Sequence, residues 1–592
     1  MISDDLRQKF LEFFEKKGHK TVPSSTLIPT DSSVLFTTSG MQQFKPFYLK
    51  GNSPYGHNVA SCQKCLRTSD IKDVGDKSHL TFFEMLGNFS FDGYFREETV
   101  KLSFEFLFDI CDLPKNRVWF TYFKGDPMAP EDEESKQVLL DIGIAPDKIV
   151  AKTREDNFWG PTGEQGPCGP TIDIYYDLTG VPCSKGDNCS LDCDCGRFVE
   201  LWSLVFNEYY QDKDKNIFPI EEKKGKKGVD TGLGLERLSA ASQNKENIFE
   251  TDLFKPLLEI VGPTNKDQEA RILVDHIKAS CFLISEGILP SNMDKGYILR
   301  RLLRRAIRAK KIIGGKENLL KNLAQKTIEI YGNSYSELVS QQTDILTVIQ
   351  KEEEVFGKTL NKGLIQFKKL LTNKKDKQNI TGQEAFNLFE SYGFPLELTQ
   401  ELARERGLSV DPKGFQDALK KHQEISRAGA EKKFGGIGKE ANNKEAIKLH
   451  TATHLLHSAL RKILGDKVKQ MGSDITPERL RFDFSFDRKL TEDEVKLIEE
   501  LVNEKIKQNL IVKKEIMPLK KAIEEGAISF FREKYPETVN VYSINNETTG
   551  ETFSKEICAG PHVKKIAELG NFKIIKQESV GSGIRRIKAK LS

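Results

Sequence analysis

The chain has 592 residues, of which 38% are hydrophobic and 30% charged, with a formal net charge of +3. This composition excludes an intrinsically disordered protein and predicts about three to five folded domains. The near-neutral charge means that any nucleic-acid partner would be held by a local basic surface.

The cysteines and the N-terminus indicate the cellular setting. The first 20 residues carry charges throughout, so they lack the apolar core of a secretory signal. No apolar run of about 18 residues predicts a membrane span. Ten cysteines in such a chain suggest reduced thiols or metal ligands, and we expect a cytoplasmic enzyme with no membrane partner.

The N-terminal part is predicted to mix helices with short strands. Ser3 is expected to cap a helix that buries its leucine and phenylalanine positions and ends near Gly18. β-rich runs follow at 32–40 and 79–91, and later in TIDIYYDL and ELWSLVF. Because strands and helices do not alternate regularly, the pattern favours an α+β fold over a doubly wound parallel sheet.

Two stretches of this region suit a nucleotide. Arg67, His79 and Phe83 lie on or beside neighbouring predicted strands, where a guanidinium can pair with phosphate and a ring can stack on a base. Arginine and phenylalanine in strands are, however, more often ordinary surface and core residues that bind no ligand.

The second stretch is VDTGLGLERL at 229–238. Gly232 and Gly234 precede a predicted helix and would let a phosphate approach the backbone, while Arg237 adds a guanidinium. Arginine replaces the third glycine of a dinucleotide fingerprint, which excludes a Rossmann site.

A polar loop contains Cys183, Cys189, Cys193 and Cys195 in the pattern C-x5-C-x3-C-x-C. Four thiolates can close a structural zinc site. The spacing lacks paired CxxC motifs, however, and acidic residues between the cysteines would also keep a metal-free loop in solution. Cys62-x-x-Cys65 could share a metal with this loop; a redox role is disfavoured because no thioredoxin-like context surrounds the pair.

From Glu269 onward, apolar residues recur at helical spacing. Residues 300–311, RRLLRRAIRAKK, predict an amphipathic helix with a strongly basic face. Such a face is either solvated or able to touch phosphates while the helix docks. The Lys-, Glu- and Gly-rich residues 410–446 suggest a linker.

The C-terminal part contains a zinc-ligand pattern. His450 and His454 are four residues apart in a predicted helix and so share one face, and His457 follows them. Cys558 and His562 lie in the turn-like ICAGPHV. Together His450, His454, Cys558 and His562 predict one zinc ion per chain, either structural or, with an open coordination position, catalytic.

Nine motifs occur in a fixed order: TFFEMLGNFSF, GPCGP, ELWSLVF, VDTGLGLERL, LPSNMDKGYILRRLLRRAIR, SYGFPLELT, HTATHLLHSAL, RFDFSF and GIRRIKAK. In this combination the chain resembles the alanyl-tRNA synthetases, a class II family, over nearly its whole length. The resemblance implies an α+β class II fold in which helices flank an antiparallel sheet. It also implies a catalytic domain at 1–242, a helical tRNA-recognition domain at 243–410, a linker at 411–446 and an α+β zinc-binding editing domain at 447–592.

The implied activity is the ligation of L-alanine to tRNA(Ala) through an alanyl-adenylate, with ATP and Mg²⁺. By resemblance, Arg67 would contact the α-phosphate, His79 the outer phosphates and Arg237 the γ-phosphate side. Phe83 would stack on adenine.

The same resemblance assigns the amino-acid pocket. Asp230 would hold the alanine ammonium, and Trp159 and Val205 would shape a small side-chain pocket. Two positions depart from the family pattern: Thr171 replaces the second cysteine of GPCGPCSEI, and Ser203 replaces an asparagine associated with the substrate.

For tRNA, the resemblance implies that Asn292 reads a G·U pair of the acceptor stem, with Arg300 and Arg304 on the phosphates. Glu390, in LFESYGFP, stands where the family has the partner aspartate.

Alanine differs from glycine and serine by single small groups, so a binding pocket separates alanine from them by only about 1–3 kcal/mol. A second step that removes the wrong amino acid from the tRNA is therefore needed. The resemblance supplies a zinc-dependent domain that hydrolyses Ser- and Gly-tRNA(Ala), with Gln470 in its pocket. Pro561 replaces a threonine of the family, and the usual β-barrel before the HTATH helix and a further C-terminal segment do not occur. We therefore expect a monomer.

Two other functions remain to be separated from the ligase. A stand-alone tRNA-ester hydrolase would keep the zinc quartet but would not need the nucleotide motifs. A non-catalytic RNA-binding zinc protein would not need Arg67, Asp230 and Arg237. Alanine-dependent exchange of pyrophosphate into ATP distinguishes the ligase from both.

Overall fold

The computed structural model describes residues 1–592 except 32, 51–52, 194, 224, 373–378, 432–442, 467, 530–535 and 582. The chain divides into two compact units. The first comprises Met1–Gln378 and Asn387–Ser409, and the second comprises Asn379–Phe386 and Val410–Ser592. No helix in the described residues is long and apolar enough to cross a bilayer.

The N-terminal helix α1 (Ser3–Lys16) buries one face, as its apolar spacing predicts: Leu6, Phe10, Phe13 and Phe14. The predicted Ser3 cap is wrong. Ile2 occupies the cap position and Ser3 is the first helical residue. The Ser3 hydroxyl instead donates to the Asp252 carboxylate at 2.7 Å, a tertiary contact that the local sequence does not reveal.

The strands of the first unit are β1 (Lys20–Thr21), β2 (Asn58–Leu66), β3 (Phe82–Phe91), β4 (Val118–Phe123), β5 (Ile149–Lys152), β6 (Phe158–Trp159), β7 (Gly166–Asp177), β8 (Phe198–Asn207), β9 (Tyr209–Gln211), β10 (Ile217–Pro219) and β11 (Gly228–Gly234). The helices after α1 are α2 (Lys45–Lys50), α3 (Arg96–Phe104), α4 (Glu133–Asp141), α5 (Arg154–Asn157), α6 (Leu235–Ser242), α7 (Lys255–Val261), α8 (Asp267–Ser285), α9 (Asp294–Ile313), α10 (Leu319–Tyr331), α11 (Ser336–Ser340), α12 (Gln342–Thr372), α13 (Gly382–Tyr392) and α14 (Leu396–Arg404). The first residues of α13, up to Phe386, are assigned to the second unit.

In the described residues these strands form one sheet with the order β1-β2-β3-β11-β8-β7-β4-β5, and β6, β9 and β10 attach beside β7. Its central pairs are antiparallel, and only β1–β2 and β4–β5 are parallel. The predicted strands at 79–91, TIDIYYDL and ELWSLVF are thus confirmed as β3, β7 and β8. The class II α+β fold predicted from the sequence is confirmed.

The strand predicted at 32–40 is wrong in the residues that the structure describes there. Thr37 makes isolated backbone bonds, donating to Leu27 and accepting from Leu66, instead of a continuous ladder. A 3₁₀ turn follows at Gly40–Gln43. Ser32 lies outside the described residues.

The second unit contains α15 (Pro412–Glu431), α16 (Lys444–Leu464), α17 (Glu492–Lys507) and α18 (Leu519–Glu524). Its strands are β12 (Gln470–Thr476), β13 (Arg479–Ser485), β14 (Ile511–Pro518), β15 (Thr538–Asn545), β16 (Thr552–Ile557), β17 (Phe572–Gly581) and β18 (Ile584–Leu591). They form a four-stranded sheet β12-β13-β18-β17 and a three-stranded sheet β14-β15-β16 among the described residues. The buried side of α16, with Leu455, Leu456 and Leu460, belongs to the main apolar core of this unit.

The predicted domain boundaries stay predictions. The 242/243 boundary falls inside the first compact unit. Within the predicted linker at 411–446, Pro412–Glu431 form α15, while residues 432–442 lie outside the described part of the chain.

A buried charge cluster ties the central sheet to its helices. Glu84 of β3 is fully buried and receives two hydrogen bonds from the Arg7 guanidinium, each 2.8 Å long. Tyr335 donates a third at 2.7 Å. The neighbouring Glu236 accepts from Lys278 at 3.0 Å and from the Glu84 backbone N–H. Burial opposes ionisation of Glu84, but the Arg7 charge holds its pKa below the usual value.

We expect Glu84→Gln to lower the free energy of unfolding of the first unit by about 3–5 kcal/mol, because it removes the buried counterion of Arg7 and leaves only the half-exposed Asp4 to pair with that charge. All three tryptophans lie between residues 119 and 202, so tryptophan fluorescence during urea unfolding reports on this unit. Glu97→Gln is the matched control. It removes an exposed pair with Lys101 and should change stability by about 0–1 kcal/mol. Equal effects of the two variants would contradict the assigned role of the cluster.

Candidate active site and metal centre

A cavity of about 270 Å³ opens on one face of the central sheet. All of the residues predicted to bind nucleotide or amino acid line it: Arg67, His79, Phe83, Trp159, Val205, Asp230, Gly232, Gly234 and Arg237. They come from five stretches of the chain that are far apart in sequence, and the fold brings them together.

Strand register explains this convergence. Asp230 of β11 pairs with Val205 of β8, which pairs with Thr171 of β7. Two residues away along each strand, Gly232, Ser203 and Asp173 pair in the same order. Residues two apart in a strand share a face, so both rows lie on one face of the sheet, and both line the cavity.

Arg67 and Phe83 lie at one wall. Arg67 follows the last residue of β2, and β2 pairs with β3 so that Cys65 is opposite Phe83. The Arg67 guanidinium is 5.0 Å from the Phe83 ring centroid and 6.0 Å from that of Trp159. Its Nε donates to the Thr38 carbonyl at 3.2 Å, which fixes the guanidinium orientation. A flat base and a phosphate would find a ring and a cation side by side here.

The other two predicted phosphate-binding residues are held by the backbone or by a carboxylate. Arg237 of α6 donates to the Glu200 carbonyl at 2.8 Å. His79 contacts the Asp76 carboxylate, and this hydrogen bond raises the His79 pKa above its usual value. The glycines at the end of β11 precede α6 directly, as VDTGLGLERL predicts.

Asp230 is one of the buried carboxyl groups that line the cavity. Burial raises its pKa to about 7. A ligand cation beside this carboxyl would offset the cost of burying its charge.

The sequence alone does not identify a second carboxyl group, Asp173. Ser203 donates to it at 2.6 Å, Thr171 at 3.1 Å and the Asn157 amide at 2.9 Å. Burial and the nearby Glu200 raise the pKa of Asp173 well above its usual value. The two positions that depart from the family pattern, Thr171 and Ser203, therefore both contact Asp173. The alternation of GPCGPTIDI along β7 is the only local signal that could have placed Asp173 on the cavity face.

The predicted tRNA-binding residues lie outside this cavity. On α9 the Arg300 guanidinium contacts the Asn292 side chain and donates to the Pro290 carbonyl at 3.1 Å. Arg304 donates to Glu352 at 3.0 Å and to the Gly393 carbonyl at 3.2 Å. Glu390 belongs to α13.

The basic face of α9 is therefore partly neutralised within the molecule. Arg305 and Arg308 pair with Glu401, and Arg308 also pairs with Glu405. The acidic partners of the α9 arginines, Glu352, Glu401 and Glu405, lie about 50 to 100 residues away in sequence. The run of arginines alone therefore could not reveal these pairs.

The second unit brings the predicted zinc quartet together. The donor atoms of His450, His454, Cys558 and His562 all lie within 4.8 Å of one another. The Cys558 sulfur is 3.4 Å from Nε2 of His450, and the His450 and His562 ring centroids are 4.3 Å apart. The buried Nε2 atoms of His454 and His562 have no hydrogen-bond partner within the described chain. Four converging N and S donors with unpartnered lone pairs fit a zinc ion.

Surrounding groups orient these ligands. His450 donates Nδ1–H to the Pro561 carbonyl at 3.1 Å, which leaves Nε2 facing the quartet. The Glu556 carboxylate lies 2.8 Å from Nδ1 of His454 and 3.0 Å from Nδ1 of His457. His457 is thus a supporting residue outside the quartet.

The electrostatics of Cys558 and His562 suit metal ligation, whereas the Glu556 carboxylate, against the effect of burial, raises the pKa of His454 to about 10, so zinc would have to displace a proton from that ligand. Burial opposes ionisation of Cys558, but contacts with the three histidines of the quartet lower its pKa to about 3. Burial lowers the pKa of His562 to about 3. Thiolate and neutral imidazole are the forms that bind zinc.

The prediction for Gln470 is not tested by the structure, whereas the prediction that Cys62 and Cys65 share a metal with the cysteine loop can be compared with it. Gln470 begins β12 and donates to Ser473 at 3.2 Å, and its place in an editing pocket stays a prediction. Cys62 and Cys65 do not join the cysteine loop: Cys62 lies 3.5 Å from Glu84, and neither belongs to a candidate metal cluster in the described residues.

Comparison with known proteins shows which families and which individual proteins this chain resembles. A model of class II (A) tRNA synthetases matches residues 5–471, and one for the second additional domain of threonyl- and alanyl-tRNA synthetases matches 539–588. An alanine–tRNA ligase of Borreliella afzelii is 46% identical over 100% of this chain and 99% of its own length. That of Treponema denticola is 45% identical over 99% and 98%. That of Petrotoga mobilis is 36% identical over 99% of this chain but 79% of its own length.

Proposed function

Because this chain belongs to the alanyl-tRNA synthetase family, we propose that the cavity on the central sheet is where alanine and ATP react and that the histidine–cysteine quartet binds zinc. The enzyme is an alanine–tRNA ligase and acts on alanine, ATP and tRNA.

One observation carries the active-site proposal: every residue predicted for nucleotide and alanine lines a single cavity. In the proposed first step, the alanine carboxylate attacks the α-phosphorus and pyrophosphate leaves. Arg67 binds the α-phosphate, Phe83 stacks on adenine, and His79 and Arg237 bind the outer phosphates. This reaction needs positioning and charge neutralisation more than covalent help from the protein.

Asp230 is proposed to bind the alanine ammonium, with Trp159 and Val205 limiting the space for the side chain. The activated alanine is then transferred to the 3′-terminal ribose of the tRNA. A stand-alone tRNA-ester hydrolase would have no use for this arrangement.

Magnesium is proposed to accompany ATP. The carboxylates of Asp156, Asp173 and Glu200 line the same cavity and offer the oxygen ligands that this ion prefers. The effect of Glu200 on the Asp173 pKa shows that negative charges crowd each other there, which a cation would relieve. The ion would neutralise phosphate charge.

In the second unit, zinc held by His450, His454, Cys558 and His562 is proposed to support hydrolysis of Ser- and Gly-tRNA(Ala), with Gln470 lining the pocket. The convergence of the four donors supports this, together with the match of residues 539–588 to the second additional domain. Zinc would polarise the ester or orient water if a coordination position stays open. We further propose a monomeric, cytoplasmic enzyme.

For the acceptor stem, Asn292 is proposed to read the G·U pair, with Arg300 and Arg304 near the phosphates and Glu390 as the acidic partner. The contact of Arg300 with Asn292 supports this, because it holds the amide of the exposed segment before α9 beside a cation of that helix.

We expect kcat/KM for alanine in ATP–pyrophosphate exchange to rise with pH up to about pH 7 and then level off. The Asp230 pKa is raised to about 7, and an ammonium binds the ionised carboxylate, so affinity is lost as pH falls below that value. Asp230→Asn should lower kcat/KM for alanine by about two orders of magnitude and abolish this pH dependence. An unchanged profile in the variant would refute the ammonium site.

We expect Asn292→Ala and Arg300→Ala each to lower kcat/KM for tRNA charging by about tenfold or more, because each removes an acceptor-stem contact. Arg304 still pairs with Glu352 in the Arg300 variant, so the fold should persist. Exchange measured without tRNA should not change. Lys326→Ala, which removes a cation paired with Glu329 on α10, is the control for loss of positive charge. A parallel loss of exchange in either test variant would point to misfolding instead of tRNA binding.

We expect Gly560→Ala to lower the zinc content by one equivalent per chain and to abolish hydrolysis of Ser-tRNA(Ala). A Cβ at residue 560 would lie 2.2 Å from Cε1 of His450, so this ligand would have to move. Ala559→Ser changes an exposed neighbour and should keep both zinc and hydrolysis. Retention of zinc with loss of hydrolysis in Gly560→Ala would show that the quartet does not need His450 in place.

A further inference from the structure

The four cysteines of the loop between β7 and β8 converge although their spacing is irregular. The sulfurs of Cys183, Cys189, Cys193 and Cys195 all lie within 4.8 Å of one another. Cys183 and Cys193 are 3.8 Å apart, as are Cys189 and Cys195. Four sulfurs placed about 2.3 Å from a tetrahedral zinc are about 3.8 Å apart, whereas a disulfide joins sulfurs at about 2.05 Å. The spacing matches the edge of a metal tetrahedron.

The loop backbone directs an N–H group at one of these sulfurs and forms a turn that leads to another. The Lys185 N–H points at the Cys183 sulfur at 3.5 Å. A 3₁₀ turn at Gly186–Asn188 leads directly to Cys189, whose N–H donates to the Gly186 carbonyl at 2.9 Å. Backbone N–H groups directed at a sulfur stabilise a thiolate ligand.

Apolar packing does not account for the ordered loop. Val181 is 63% exposed and Leu191 is only half-buried, so the segment has little core of its own. Its base is closed by Arg197, which donates to Asp177 at 2.6 and 2.9 Å. Small segments without a core commonly depend on a metal or on disulfides.

We propose that Cys183, Cys189, Cys193 and Cys195 bind a second zinc ion, separate from the one in the histidine–cysteine quartet. Four thiolates fill a tetrahedral ion, so the site is structural. It fixes the connection between β7 and β8, the two strands that carry Asp173, Ser203 and Val205 into the cavity.

The test is zinc analysis of the full-length protein by mass spectrometry of the metal after gel filtration in a reducing buffer. Wild type is expected to carry about two zinc ions per chain, and both the Cys189→Ser/Cys195→Ser double variant and Cys558→Ser about one. Cys281→Ala, which changes a buried cysteine of α8 outside both clusters, should keep two. An equal zinc content in wild type and the double variant would overturn the proposal, as would iron instead of zinc at this site.

X-ray absorption at the zinc edge, which counts the sulfur atoms bound to each zinc ion, provides a second test on the wild-type protein. This test remains decisive if the double variant does not fold. Two sites, one with four sulfurs and one with one sulfur and three nitrogens, give an average of about 2.5 sulfurs per zinc in wild type. Cys558→Ser should leave a remaining ion with four. A wild-type average of about one sulfur, or an intact mass showing two disulfides in the loop, would refute the second zinc.

Discussion

The cavity face of the central sheet depends on a carboxylate that is buried on the opposite face of one of its strands, β3. Phe83 and Met85 of β3 line the cavity, while Glu84 between them points away and is fully buried. Such a charge is tolerated only when its hydrogen-bonding capacity is filled, and Arg7 and Tyr335 fill it. One strand therefore presents a ring to the cavity, and on its reverse side it is anchored by an ion pair with Arg7 of α1 and a hydrogen bond from Tyr335.

The same cluster explains why the predicted catalytic and helical domains fall in one compact unit. Lys278 of α8 reaches Glu236 of α6, and Tyr335 reaches Glu84. Thr81 also donates its backbone N–H to Asp275 of α8 at 2.9 Å. These contacts cross the predicted 242/243 boundary with buried polar groups, which would be costly to separate. Composition and periodicity do not register such contacts, because the partners lie far apart in sequence.

Features of the structure that depend on residues close together in the sequence were predicted correctly. The HxxxH spacing on a helix, the glycines between β11 and α6 and the strands β3, β7 and β8 could all be predicted from the sequence, because period and turn chemistry specify them. Contacts that require the folded sheet could not. The Ser3 cap was wrong because Asp252 competes for that residue, and the basic face of α9 proved to be partly paired with glutamates. For the cysteine loop, the sequence left a zinc site and a metal-free loop as alternatives, and only the folded chain places the four sulfurs within 4.8 Å of one another.

The positions that depart from the family pattern bear on selection between alanine and serine. Thr171 and Ser203 bring two hydroxyl groups to the cavity wall, yet both donate to Asp173, which also receives the Asn157 amide. Hydroxyls committed in this way have no proton left to donate to the hydroxyl of a bound serine, although their lone pairs can still accept one. In the proposed alanine pocket, serine would therefore bury its hydroxyl with incomplete hydrogen bonding, at a cost of about 1–3 kcal/mol. A penalty of that size slows misacylation without preventing it. An enzyme with this pocket would still benefit from a second, hydrolytic site, and the role proposed for the histidine–cysteine quartet of the other unit would meet that need.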